Sequence, residues 1–476
     1  MSLELILKKR SRLFALFSWV LIALAFIAAL RSFRMIYEPV DFAAFTCGAK
    51  ALQLQQDPYL AHSLHACEMA EMKELGFPIP HFLTIPSPFP AYALKFFGLL
   101  TVFSTVNSFA AWEVLILACF AFMIVILHNL TNLPVPMMIG AMFLQCFAVA
   151  LPLGQFVPFV GLAMCIAVWS LEHEKYILTS LAAIFTLLEP SLGLPFCLGL
   201  FLVAKNVRWS LICFGIALGI IWLVSMPLAT NIEYLTQVLH AHALSEAFND
   251  DQYSTIHLFV LFGMQPDLAL KWGAGVYVLA LIVGGIGAVW LARVRGDRAL
   301  SIFFPVVLCL IASPFMHVQE LLPAVIAGLL LYSRSNNLLI AICCVFLALP
   351  VVLARNPLES LEILLLSGVF IASMLARSSP LATYGLLPII QVLLSMREWL
   401  GRKSLWDMHY HQRALALQAY LPGSSSHPVL ADIIWMNFIV NTHAGVGAWY
   451  LVFYVPVCAA MVGMIVGMWR FPNQVA

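Results

Sequence analysis

Apolar runs of membrane-spanning length recur from one end of the chain to the other. Leu13–Leu30, Ser108–Leu127, Phe156–Leu171, Ser210–Leu228 and Ala274–Leu291 carry almost no charge. A helix needs about 20 such residues to cross a bilayer. Inside lipid every backbone group must be satisfied, which leaves helices and closed barrels, and continuous runs without alternation read as helices. Composition agrees: 63% of the residues are hydrophobic and 10% are charged. An average soluble domain carries about 25% charged residues. The chain is therefore expected to be an all-α integral membrane protein of about 12 to 14 spans, forming one domain over residues 1–476. With a net charge of +1, nothing points to nucleic acid.

Topology follows from the basic residues. Lys8, Lys9, Arg10 and Arg12 precede the first run and no small-residue cleavage site follows it, so the start reads as a retained span with a cytoplasmic N-terminus. Further runs are expected at Val135–Leu151, Ile177–Ala204, Ile302–Phe315, Leu321–Tyr332, Leu338–Leu353, Leu361–Leu375, Leu381–Met396 and His443–Met468, with another span between Pro90 and Val102. Glu189-Pro190-Ser191 interrupts the second of these, where Pro190 should kink the helix. Arg293, Arg295, Arg298, Arg334 and Arg377 fall on the N-terminal side. The polar segments 38–85, 230–255 and 397–441 then face outward. This predicts a multi-pass cell-membrane protein working at its outer face.

Glu38–Tyr59 is the most informative polar stretch. Phe42, Phe45, Ala49 and Leu52 recur at helical spacing from Asp41 onward, and Pro58 ends the run. The pattern predicts an amphipathic helix on the membrane surface, followed by a second short surface helix within Leu60–Phe82. Asp41 suits two roles, a helix N-cap or a general base. Cys47 and Cys67 lie in the same segment. They are free to pair in an oxidising compartment or to serve as two small apolar contacts. No C-x-x-C pair supports a zinc or redox site.

The order D-F-x-x-F-x-x-x-A-K-A-L-x-x-x-x-D-P-Y, from Asp41 to Asp57-Pro58-Tyr59, resembles the first outer loop of glycosyltransferase family 87, polytopic enzymes of the GT-C fold. Pro86, Pro88 and Pro90 resemble the proline-rich approach to that family's second span. Leu151–Leu162 is similar to its G-Q-x-N segment, with Gly154 and Gln155 retained and Pro158 at a usually polar position. Ala247–His257, containing Gln252, resembles its N-Q-S loop. Ser313–Pro323, containing His317, Gln319 and Glu320, is similar to its S-P-x-x-x-x-H-x-x-x-L-x-P segment. Glu189 stands where the family has a Lys. The resemblance covers about residues 35 to 335.

This resemblance implies a GT-C-type helical bundle with amphipathic loop helices at its outer face. It implies transfer of a sugar, mannose-like, from a polyprenyl-phosphate donor to an acceptor hydroxyl on a glycolipid, glycan or protein. Transfer would proceed with inversion, with Asp41 as base and His317 as a phosphate or acceptor contact. No cofactor is implied, and without a D-x-D motif a metal is not expected. Tyr59, Gln155, Gln252, Gln319 and Glu189 are the substrate-binding candidates. Arg34, Lys50 and Lys95 are candidate cations for the phosphate, against snorkelling at the membrane boundary.

Other clusters point elsewhere. His240, His242 and Glu246 suggest a metal only weakly, since H-x-H splits the two rings between helix faces. Trp406–His411 is a similar case, and Asp250-Asp251 reads as solvated loop charge. The alternative functions are a secondary transporter or lipid flippase, and a non-catalytic scaffold. A transporter is expected to show paired broken helices, whereas this sequence offers one, near Glu189.

Overall fold

The computed structural model describes residues 39–77, 79, 81, 83–142, 148–247, 252–335, 337–348, 429–442 and 449–470. The expected first span, Arg34, Arg377, the segment 406–411 and the spans expected within 361–396 lie outside the described residues. Among the described residues every regular element is a helix, and two isolated bridges, Leu60 to Leu430 and Gln252 to His317, are the only strand-like pairings.

In chain order the helices are α1 (Val40–Gln53), α2 (Ala61–Leu75), α3 (Ala91–Phe97), α4 (Thr105–Thr131), α5 (Val135–Met142), α6 (Ala148–Leu153), α7 (Val157–Glu172), α8 (Tyr176–Phe185), α9 (Pro190–Val203) and α10 (Arg208–Ser225). Then come α11 (Leu228–Glu233), α12 (Leu239–Glu246), α13 (Thr255–Leu261), α14 (Pro266–Arg295), α15 (Arg298–Ile311), α16 (Leu322–Ser335), α17 (Leu338–Ala348), α18 (Ala431–Thr442) and α19 (Trp449–Arg470). Among the described residues three helices are long and apolar enough to cross a membrane: Thr105–Thr131, Lys205–Ser225 and Pro266–Arg295. Their outward faces are apolar. Trp209, Ile216 and Val224 on α10, and Trp272, Leu279 and Ile286 on α14, all stand exposed. Helices with such faces suit lipid rather than water.

Three expectations need correction. The helix after Pro39 is not a surface helix. From Phe42 to Ala49 every residue of α1 is buried. Phe42 and Phe45 fill one side, and Ala43, Ala44, Gly48 and Ala49 let neighbours approach the others. A Cβ on Gly48 would stand 3.0 Å from Ser87 Oγ. A helix that is apolar and small all round belongs inside. Second, the span expected between Pro90 and Val102 is the seven-residue α3, about 10 Å long and too short to cross. Third, the run Ile177–Ala204 is not one helix. A 3-10 turn at Thr186–Leu188 follows α8, Glu189 is extended, and α9 begins at Pro190. Proline disfavours the helical conformation in the residue before it, which accounts for the break. Within Val135–Leu151 the described residues form α5 and α6, and residues 143–147 between them lie outside the described residues.

Cys47 and Cys67 are joined in a disulfide that ties α1 to α2. Beside it, Lys50 Nζ lies 2.6 Å from Glu71 Oε1, and Thr46 Oγ1 donates to Glu71 Oε2 at 2.5 Å. An aromatic cluster anchors the other side of α1. Phe45 meets Phe89 at 4.7 Å, Phe97 meets Phe156 at 4.3 Å and Trp112 stacks on Phe159 at 4.5 Å between ring centroids. Each such pair adds about 0.5–1.5 kcal/mol beyond burial.

The bundle has two chemically different ends. At one, Arg334 pairs with Asp297 and Glu172, and Arg295 donates to the Trp469 carbonyl at 2.6 Å. The helices α7 and α16 finish there. They begin at the other end, just after Gln155 and His317, and that end gathers the uncharged-polar, acidic and histidine side chains described next.

Candidate functional site

Asp41 occupies the first turn of α1 and is partly exposed. It does not cap the helix, which starts at Val40 after Pro39 with no side-chain cap bond. Instead its Oδ2 accepts a hydrogen bond from Gln155 Nε2. The backbone dictates this contact. Gly154 has φ +79°, and a Cβ there would meet Phe42 Cβ at 2.6 Å. Only glycine permits both the left-handed turn and the close approach. Trp112 Nε1 fixes the turn by donating to the Gly154 carbonyl at 2.9 Å. Gly154 and Gln155, adjacent in sequence, thus act as one unit that presents an amide to Asp41.

Burial raises the Asp41 pKa from its ordinary 3.8 to about 7. The Gln155 bond opposes the rise, the charge of Glu246 adds to it and that of His242 subtracts. A carboxyl that is deep in the fold, partly accessible and titrating near neutrality has the properties of a general base.

Glu246 and His242 come from α12. A π turn at Tyr234–Val238 precedes that helix. Tyr234, Val238, His242 and Glu246, each four residues after the last, are all buried. In an unbroken α-helix a strict four-residue repeat drifts around the axis by about 40° per step. The wider π turn takes up part of that drift and helps keep all four side chains inward.

Glu246 is a hub. Its Oε2 accepts from Gln252 Nε2 at 2.6 Å and lies 3.4 Å from His317 Nε2, and its Oε1 accepts from Trp435 Nε1 at 3.1 Å. Gln252 is fully buried. Its Nε2 lies 2.8 Å from the His317 ring, and its Oε1 accepts from the Met316 N–H at 2.5 Å. The backbone bridge between residues 252 and 317 locks the two segments together. His317 also starts the short turn Val318–Leu321 in a reciprocal cap with Glu320.

His242 pairs with Asp432 at 2.9 Å. Burial alone would lower the His242 pKa. The hydrogen bond and charge of Asp432, with Glu246 and Glu189, more than offset this and raise it. Asp432 and Trp435 belong to α18, which docks on the 59–61 segment: Ala61 N–H donates to the Val429 carbonyl at 2.9 Å and Ala431 N–H to the Tyr59 carbonyl at 3.0 Å. Glu189 is buried at the α8–α9 break, accepts from Ser191 Oγ at 3.0 Å and lies within electrostatic reach of His242.

Of the residues named from the sequence, Asp41, Gln155, Gln252, His317 and Glu189 therefore converge at one end of the bundle, and Gln319 is buried in the turn after His317. Three do not join them. Lys50 is held by Glu71 beside the disulfide. Nine residues along a helix from Asp41, it sits half a turn round and about 13 Å away. The fully buried Tyr59 donates its hydroxyl to the Phe89 carbonyl at 2.9 Å and packs on Tyr234. Lys95 is exposed in the last turn of α3. His240 is likewise exposed and separate from His242. The sequence reading missed four members: His242, Glu246, Asp432 and Trp435. The i, i+4 spacing of His242 and Glu246 was the available signal.

Among the described residues, the one group with metal-ligand spacing is Cys47, Cys67 and Glu71, and both its sulfurs are taken by the disulfide. No protein-family model matches the chain, and no curated protein or solved structure is detectably similar to it. The fold defines an all-helical protein with helices of membrane-spanning length.

Proposed function

We propose that the protein is a GT-C-type membrane glycosyltransferase that moves a sugar from a polyprenyl-phosphate donor to an acceptor hydroxyl at the outer membrane face, with Asp41 as the general base. The observation that carries this reading is the Asp41 carboxyl itself, partly exposed, held by one Gln155 amide and raised to about 7. A base near neutrality removes a hydroxyl proton as the nucleophile attacks the anomeric carbon. The phosphate leaves from the opposite face, and the anomeric centre inverts. His317, partly exposed against Glu246, and His242, whose pKa the Asp432 carboxylate raises, are the candidate donors to the leaving phosphate. Mannose is the sugar suggested by the family resemblance. The basic Arg295 and Arg334 end would face the cytoplasm, and the disulfide at the Asp41 end suits an oxidising outer compartment.

A second reading, a secondary transporter, is favoured by one feature. Glu189 stands extended at the α8–α9 break, beside titratable groups, and broken helices form ion sites in transporters. Mass spectrometry of lipids co-purifying with the full-length protein tests the first reading. Detection of a glycosylated polyprenyl phosphate supports it. A protein that carries no such lipid and drives proton-coupled sugar uptake into vesicles supports the second.

A further inference from the structure

The structure assigns to Glu246 the part of positioning residue for this site: its buried carboxylate fixes the His317 ring, the Gln252 amide and the Trp435 indole in one arrangement. This deepens the reading of Asp41 as base and rests on it. Glu246 is 3% exposed. Three groups from three separate segments meet on its two oxygens: Gln252 and His317 on Oε2, and Trp435 on Oε1. A carboxylate held by three groups and shut away from solvent is poorly suited to take a substrate proton. Among the described residues Asp41 accepts from one side-chain donor, Gln155, and it remains partly exposed. The two carboxylates therefore divide the work. One reacts, and the other holds its partners and supplies a fixed charge.

That fixed charge has a direction. Among the described residues the charged groups acting on Asp41 are Glu246 and His242, both from α12, and Gln155 supplies the hydrogen bond from the segment after α6. Behind them stand Asp432 on α18, Glu320 in the turn after His317 and Glu189 before α9, each acting on Glu246 or His242. Glu246 disfavours ionised Asp41, so it keeps the base protonated to a higher pH. Removing the Glu246 charge while keeping its shape should make Asp41 ionise earlier. A purely structural Glu246 would leave Asp41 unmoved.

The test needs no substrate. The protonated-carboxyl stretch of the full-length protein is followed by infrared spectroscopy across pH in wild type, D41N, E246Q and E246D. The band lost in D41N reports Asp41, and its midpoint in wild type is expected near 7. E246Q should lower that midpoint by up to about one pH unit, whereas E246D, which keeps the charge, should leave it near the wild-type value. An Asp41 midpoint that E246Q leaves unchanged or raises overturns the assignment. Should E246Q not fold, E246D with a midpoint moved as far as that of a charge-neutral E246A does the same. Because the band is read without donor or acceptor, failure of this proposal is separable from failure of the transferase reading.

Discussion

Replacing Asp41 by Asn should make the protein more stable above neutral pH. Burial holds this carboxyl at about 7 instead of 3.8. A carboxyl raised on folding stabilises the folded state while it stays protonated. That contribution is complete below about pH 4 and is lost as pH rises through about 7. At 1.36 kcal/mol per pH unit, the displacement sets a ceiling of about 4 kcal/mol on the penalty of ionised Asp41 at pH 8. Partial access to solvent reduces this to about 1–3 kcal/mol. Asn is uncharged and of the same shape, and its side-chain oxygen still accepts from Gln155. Thermal unfolding in detergent, followed by tryptophan fluorescence, should show D41N more resistant than wild type at pH 8, with the gain falling to about a third at pH 5 and vanishing only below about pH 4. An equal gain at both pH values, or none at pH 8, would refute the argument that Asp41 is held ionised against its environment. A residue kept at such a cost to stability fits a catalytic part better than a structural one.

Three further outcomes follow from the packing. G154A should destabilise by about 2–4 kcal/mol, since it adds a Cβ at 2.6 Å from Phe42 to a residue with φ +79°; chemical unfolding reads the loss, and a cost under about 0.5 kcal/mol would show that the turn is not constrained. C47S should lose about 3 kcal/mol, because the disulfide closes a loop with a sequence separation of 20; reductant should lower the melting temperature of wild type and leave C47S unmoved. D432A leaves His242 buried without its carboxylate and should cost about 3–5 kcal/mol, with the loss smaller at high pH, where His242 is neutral; a loss independent of pH would mean that the pair is not ionic.

The sequence made part of this site legible. The apolar runs announced helices, Asp41 stood out at the start of an apolar helical stripe, and Gln155 and His317 were singled out through the family resemblance. Gly154 next to Gln155 carried its own signal, a glycine where a turn meets a helix. The remainder required three dimensions. The burial of α1 was hidden because the stripe Phe42, Phe45, Ala49 and Leu52 was read as one face, while the small residues between them passed as filler; smallness is what admits neighbours on the other faces. The separation of Lys50 from Asp41 was available from helical arithmetic alone. Glu246 and His242 were passed over because the His240-x-His242 pair, split between helix faces, was weighed as a metal site, and the inward stripe Tyr234, Val238, His242 and Glu246 runs through a π turn. Asp432 and Trp435 reach the site from a C-terminal helix almost 190 positions after Glu246, a contact held by two backbone hydrogen bonds rather than by any pattern in the chain.

The transferase reading is tested most directly by supplying the purified full-length protein with a synthetic polyprenyl-phosphate mannose labelled in the sugar, together with an extract of membrane glycolipids. The account predicts labelled glycolipid with inverted anomeric configuration, formed at a rate that rises as pH passes through about 7, and no product from D41N although that variant folds. Label transferred at the wild-type rate by D41N would contradict it.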